Sequence, residues 1–187
     1  MKAFHNDIEI KTKYVNRVME HQRLDNLTKG ATGDNGKGCA VACTLDMVYD
    51  HSRYPIEMGI PEWMARLEDS LFEGMSLEKS KTFPEVFLKA INIGADLEKA
   101  KTPFIIKVLE RNLRSLDSCE FDKENNPGVV AAIEGSKKAV NMMIDAYKMG
   151  DESAAWSAAE SAESAAGSAA FDEMADELLE ILKGLKE

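Results

Sequence analysis

Cysteine is scarce in this chain, with three residues in 187, at positions 39, 43 and 119. An odd number of cysteines, together with a start that has no apolar leader, argues against a disulfide framework. No apolar run approaches the length of a membrane-spanning helix. We therefore expect a reduced, cytoplasmic protein that has no contact with a membrane.

Basic side chains are also in deficit, because 23 Lys and Arg face 33 Asp and Glu, a formal net charge of −10. Proteins bind nucleic acids largely through basic groups that displace counterions, and an acidic chain is repelled by phosphate. This balance excludes direct nucleic-acid binding and favours a protein partner with a basic surface.

Apolar residues recur at helical spacing along most of the chain, and glycines and prolines interrupt them. One predicted helix over residues 61–75 places Trp63, Leu67 and Leu71 on a single face. The pattern predicts an all-α fold, a compact multi-helix bundle with a long alanine-rich C-terminal helix. We expect a helical domain over residues 1–150. We expect residues 151–187 to form a separate acidic alanine-rich helix, packed on that body or on a second copy.

The stretch GATGDNGKGCAVACTLDMVYDH, residues 30–51, is rich in glycine and resembles a phosphate-binding loop at first sight. A nucleotide P-loop needs Gly-Lys followed by Ser or Thr, between a strand and a helix. Here Gly38 follows Lys37, and Ala31 stands at the position of the first glycine. The stretch therefore predicts a plain loop between helices, with Lys37 as a minor candidate for binding a small anion.

The residues CAVACTLDMVYDH, 39–51, predict one short apolar helix with Cys39 and Cys43 on one face and His51 near its end. Zinc sites usually take four ligands with closer pairs, so we expect no metal and no cofactor here. A helix start and Lys37 would lower the pKa of the Cys39 thiol and make it a nucleophile. The simpler interpretation is that both cysteines pack in the core.

Polar residues follow at the predicted end of that helix. Asp50, His51 and Arg53 form an acid–base cluster in one interpretation, with Cys39 and His51 as the catalytic candidates. In the other interpretation they cap the helix and meet water.

The acidity is concentrated in the last segment, where residues 151–187 hold ten acidic side chains and two lysines, a net charge of −8. A charge run is usually a solvated face, and the alternative is an arm that meets a basic partner. The acids assigned to partner binding are Glu160, Glu163, Asp172, Glu173, Asp176 and Glu177. Alanine pairs along the same segment allow close helix pairing, so we also consider a homo-oligomer.

Residues 37–75 contain KGCAVACTL, then a histidine, then GIPEWMARLEDSLFEG. This stretch of about 40 residues resembles a group of bacterial and phage proteins with alanine-rich helical tails. Some proteins of this kind are labelled immunity proteins of bacterial toxin systems. The resemblance implies a class of function and carries no catalytic residue.

Two functions follow as hypotheses. The first is a non-enzymatic interaction protein that binds and inhibits another protein, either as an immunity protein or as a phage or prophage inhibitor of a defence enzyme. The alternative is a small enzyme or ligand-binding protein with a pocket at Cys39, Cys43 and His51.

Overall fold

A computed structural model describes residues 1–118, 124–150 and 168–186. Within these ranges the structure is helical, with two isolated β-bridges and no β-strand, which confirms the all-α prediction. The α-helices are α1 Ile8–Arg23, α2 Ala40–Thr44, α3 Arg53–Met58, α4 Glu62–Gly74, α5 Leu77–Ser80, α6 Phe83–Ala90, α7 Lys101–Asp117, α8 Pro127–Lys148 and α9 Ser168–Gly184. None of the described helices has both the length and the apolar character needed to span a bilayer.

The chain divides into two compact units, which are described separately: Met1–Ala100 with Gly167–Glu187, and Lys101–Ala166. In the second unit, α7 and α8 pack through Ile105, Leu109, Ile144 and Tyr147. Lys137 of α8 adds an ion pair with Asp117 of α7, at 2.8 Å. The described residues of this unit thus form a pair of packed helices, α7 and α8.

In the first unit, α1 packs against α2 and α6, and α2 packs against α4. Asp7 caps α1 by accepting a hydrogen bond from the Glu9 amide at 2.7 Å, which satisfies one of the free donors at the helix start. Tyr14 and Val18 on α1 are buried in the core. The start of α2, which contains Cys39 and Cys43, therefore packs directly against the core of this unit.

The glycine-rich stretch is a loop, as predicted. Gly33 lies in the left-handed region with φ 106°, and a Cβ at this position would collide with the backbone of Met47. Only glycine meets both conditions without strain. The loop therefore packs tightly against the residues that follow α2.

The helix predicted over residues 39–51 is wrong in length, because α2 ends at Thr44. Asp46 and Met47 have φ values of 61° and 66°, which a right-handed helix does not allow. Tyr49 and His51 consequently lie on the connection between α2 and α3, with His51 in a turn. His51 therefore does not lie on α2 with the cysteines, and the connection places it beside α4.

The buried face of α4 also differs from the prediction. Trp63 and Leu67 are half-buried, whereas Met64, Glu68 and Leu71 are buried. The helix is therefore rotated by about one residue relative to the predicted face, a turn of about 100°. That rotation places two acidic side chains of α4, at positions 68 and 69, against the interior.

The helix α9 packs on the first unit, against α4, α6 and the 3-10 helix Leu97–Ala100. Met174, Leu178 and Leu182 are at most 1% exposed, so they belong to the core of this unit. Polar contacts flank them: the Ser76 amide donates to Asp172 Oδ1 at 2.9 Å. The described part of the acidic segment is thus joined to the N-terminal hundred residues.

Candidate functional site

Asp69 on α4 is the centre of a group of reactive side chains. Its Oδ2 accepts a hydrogen bond from the Tyr49 hydroxyl at 2.6 Å and lies 3.1 Å from His51 Nε2. The two aromatic rings meet edge to face, with centroids 5.0 Å apart. The connection between α2 and α3 is therefore held on α4 by one carboxylate.

Cys39 and Glu73 complete this group. One ligand atom from each of Cys39, Asp69 and Glu73 lies within 4.8 Å of the other two. Asp69 and Glu73 are four residues apart and so share a face of α4. Glu73 is exposed, and both of its oxygens accept from the Gly30 amide, at 3.0 and 2.9 Å. We call Cys39, Tyr49, His51, Asp69 and Glu73 the Asp69 cluster.

A second carboxyl group lies behind the cluster. Glu68 is fully buried, and its Oε2 accepts from the hydroxyl of buried Tyr54 at 2.8 Å. Burial, and then the charge of Asp69, raise the pKa of Glu68 to about 8, although the bond from Tyr54 opposes them. Glu68 is therefore protonated near neutral pH, because the ionised form would lose its hydration without gaining a cation.

The Asp69 cluster does not prepare Cys39 for nucleophilic attack. Cys39 is 2% exposed. Burial, and to a smaller extent the charge of Asp69, raise the pKa of its thiol to about 12. The sequence led us to expect the opposite direction, from a helix start and Lys37. The expectation fails because the thiol is buried, and because Asp69 rather than a cation faces the sulfur.

Lys37 lies away from the thiol. Its ammonium donates to the carbonyl of Asp25 and lies 3.9 Å from the carboxylate of that residue. Cys43 also lies apart from the cluster, because its thiol is fully buried and donates to the Gly38 carbonyl at 3.4 Å. The structure therefore brings together Cys39 and His51 of the predicted pocket, through Asp69.

Asp50 and Arg53 take other partners. Asp50 Oδ1 accepts from the amide and the hydroxyl of Ser52, at 3.0 and 2.6 Å, and these bonds lower the pKa of Asp50. Arg53 pairs with Glu57, one turn along α3. Both residues hold the start of α3, and the structure does not add them to the group around His51.

The acids assigned to partner binding divide into three sets. Glu160 and Glu163 lie outside the described residues. Asp172 is half-buried, and besides its bond from Ser76 its carbonyl accepts from the Lys79 ammonium at 2.5 Å. Glu177 is half-buried too.

The remaining two assigned acids, Glu173 and Asp176, are exposed, and the exposed Glu180 lies on the same helix. We call Glu173, Asp176 and Glu180 the acidic face. Asp176 pairs with Lys79 at 2.6 Å and still keeps 67% of its side-chain surface.

Sequence reasoning missed Tyr49, Glu68, Asp69 and Glu73. A signal was present, since LEDSLFE places Glu68 between the apolar residues Leu67 and Leu71 and puts Asp69 and Glu73 four residues apart. An acid on an apolar helix face is uncommon without a partner or a function, because its burial is costly.

No family model matches this chain, and searches of curated proteins and of solved structures find no match either. The fold and the arrangement of the Asp69 cluster are therefore the grounds on which a function is proposed.

Proposed function

We propose that this chain is a ligand-binding protein whose binding centre is the Asp69 cluster. The observation that carries the proposal is the convergence of three separate segments on one carboxylate: the start of α2, the connection to α3 and the face of α4. Cys39, His51 and Asp69 lie on three different segments and have no need to meet for the helices to pack. Their meeting places a thiol, an imidazole and a carboxylate at one point.

Unpaired polar atoms support the same proposal. Asp69 Oδ1 and Glu68 Oε1 are buried and have no hydrogen-bond partner in the described part of the chain. An unsatisfied buried polar atom costs about 1–3 kcal/mol, and native structures contain few of them. A ligand that supplies a partner to Asp69 would recover part of that cost on binding.

Binding fits the cluster better than thiol catalysis. A nucleophilic cysteine needs a lowered pKa or a base that takes its proton. Here the pKa of Cys39 is raised, because the thiol is buried and Asp69 faces it. The Asp69–His51 pair does orient an imidazole in the manner of a general base, so an enzymatic use of the same centre would rely on His51.

Native mass spectrometry of the chain purified without chelator tests this function. We expect a mass above that of the bare chain, released on denaturation, in a one-to-one ratio. Asp69→Asn and Glu73→Gln should both lose the added mass. The matched control is Glu62→Gln, because Glu62 lies on the same helix and pairs with Arg66 outside the cluster. A bare mass for the folded wild-type chain would contradict the proposal.

A second proposal is that the chain binds and inhibits another protein through the acidic face. It is supported by the way α9 is held: Met174 and Leu178 are buried while Glu173 and Glu180 are exposed. A docked helix presents its acids at fixed spacing, which steers a basic partner and fixes its register. Residues 37–75 resemble a group of bacterial and phage proteins, some of which are labelled immunity proteins of toxin systems, and this resemblance implies the same class of function.

Charge reversal tests this second proposal. Capture of partners from the native host with Glu173→Lys and Glu180→Lys combined should lose a stoichiometric, salt-sensitive protein that the wild-type chain retains. Glu9→Lys, an exposed acid on α1, is the matched control. A partner that both variants retain equally would exclude the acidic face as its binding surface.

A further inference from the structure

We propose that the Asp69 cluster binds a divalent late first-row metal ion, Zn²⁺ above all. Its three protein ligands are Cys39 Sγ, a carboxylate oxygen of Asp69 and a carboxylate oxygen of Glu73. This inference rests on the ligand-binding function proposed above and names its ligand.

The geometry is close to that of a metal site. The three ligand atoms lie within 4.8 Å of one another. Around one zinc ion, with Zn–S about 2.3 Å and Zn–O about 2.0–2.2 Å, tetrahedral ligand atoms lie about 3.5 Å apart. Small side-chain rotations would bring the three atoms to that spacing. Glu73 is exposed at the outer side and Cys39 is buried at the inner side, so an ion has a path of entry from solvent.

The distribution of charge calls for a cation. Asp69 is 9% exposed as a residue and 13% exposed as a side chain, and its Oδ1 is buried without a partner. Carboxylates in such positions are paired or coordinate a metal. The ammonium of Lys29 acts on Glu73 through its charge, but its hydrogen bond goes to the carbonyl of Met75.

The combination of one sulfur and two oxygen ligands indicates which metal ion the site would bind. Calcium and magnesium take oxygen ligands, and copper(I) takes soft sulfur ligands. A set of one thiolate and two carboxylates suits Zn²⁺, which accepts sulfur, nitrogen and oxygen. Three protein ligands leave a fourth position for water or a substrate, the pattern of catalytic zinc sites.

Outer hydrogen bonds already orient two of the ligands. Tyr49 and His51 both bond to Asp69 Oδ2, and the Gly30 amide bonds to Glu73. Such partners fix the orientation of ligating groups and raise metal affinity by about 10–100-fold. On binding, the S–H bond of Cys39 breaks, a sulfur–metal bond forms and the proton passes to solvent.

This site differs from the one that the sequence led us to consider. Counting cysteines and histidines gave Cys39, Cys43 and His51, too few ligands for zinc. In the structure Cys43 bonds to a backbone carbonyl and His51 bonds to a ligand rather than acting as one. The carboxylates of α4 take their places, which is why we propose a metal against the expectation from that count.

Titration of the full chain, freed of metal by a chelator, with Co²⁺ tests the site. Cobalt substitutes for zinc, and a cobalt–thiolate bond produces a charge-transfer absorption band. We expect one Co²⁺ per chain with that band, and its displacement by Zn²⁺. Cys39→Ser should abolish the band, and Glu73→Gln should weaken affinity by more than tenfold. Cys43→Ser and Glu62→Gln are the matched controls and should bind as the wild type does.

Three outcomes would overturn the proposal: a folded wild-type chain that binds no Co²⁺, a band that persists in Cys39→Ser, or equal affinity in Glu73→Gln. Glu73 is exposed, so its variant is expected to fold even where Asp69→Asn does not. Failure of the metal and failure of the binding function are distinguishable. A retained organic molecule, lost in Glu73→Gln and seen by native mass spectrometry, would reject the metal and keep the binding function.

Discussion

Replacing Glu68 with glutamine is expected to stabilise the metal-free chain at high pH and to remove a large part of its pH dependence. Glu68 is fully buried and its Oε1 has no partner. Burial raises the pKa of its carboxyl to about 8 from the ordinary 4.5. Above that pH the folded chain must hold a buried charge, and glutamine does not ionise.

The sign of the pH dependence follows from proton binding. Between pH 4.5 and about 8 the folded state keeps the proton of Glu68, while the unfolded state has released it. The folded state therefore binds more protons, and the free energy of unfolding falls as the pH rises, by up to about 1.4 kcal/mol per pH unit. The stabilising contribution is fully present below pH 4.5 and is lost by about pH 8.

Denaturant unfolding of the metal-free wild type and of Glu68→Gln, at several pH values between about 5 and about 9, measures this effect. The stability of the variant relative to the wild type should increase with pH across the range. Glu62→Gln on the same helix controls for the loss of a carboxyl group. A difference between wild type and Glu68→Gln that is constant with pH would mean that Glu68 keeps an ordinary pKa.

Leu178→Ala is expected to destabilise the first unit by about 2–5 kcal/mol, the cost of removing a large apolar side chain from a packed core. Leu178 is 0% exposed and lies on α9, which packs on α4 and α6. Leu77→Ala is the matched control, because Leu77 is 72% exposed and its loss should change stability by less than about 0.5 kcal/mol. Thermal or denaturant unfolding measures both. Equal stabilities would show that α9 does not pack on this unit in solution.

The same packing affects how an oligomer should be tested. A chain shortened to end near Gly150 would lose the buried residues Met174, Leu178 and Leu182. Their removal uncovers apolar surface on the first unit, and such surface promotes association by itself. Light scattering of the full chain, with substitutions confined to exposed residues, is therefore the sound test for a homo-oligomer.

Periodicity predicted the helical class well, because burial of one apolar stripe per helix dominates the choice of fold. It failed where local backbone geometry decided the result. The left-handed conformations of Asp46 and Met47 end α2 early, and the loop around Gly33 packs against that point. Asp adopts the left-handed conformation more often than most residues, but Met rarely does, and neither type indicates it as strongly as glycine.

Only part of the candidate site could be predicted from the sequence. Cys39 and His51 were singled out because they are near each other in the chain. Asp69, which joins them, lies 18 residues beyond His51 and meets it through the packing of α2 on α4. The segment that carries the family resemblance does contain Glu68, Asp69 and Glu73. Acidic residues beside apolar residues on a predicted helix were the signal in the sequence that could have indicated these three residues.

X-ray diffraction from crystals grown without chelator, with data collected on both sides of the zinc absorption edge, would locate a metal in the Asp69 cluster. We expect an anomalous peak bonded to Cys39 Sγ and to carboxylate oxygens of Asp69 and Glu73, with Tyr49 and His51 bonded to Asp69. An Asp69 side chain turned to solvent, with no metal or other ligand between Cys39 and Glu73, would contradict it.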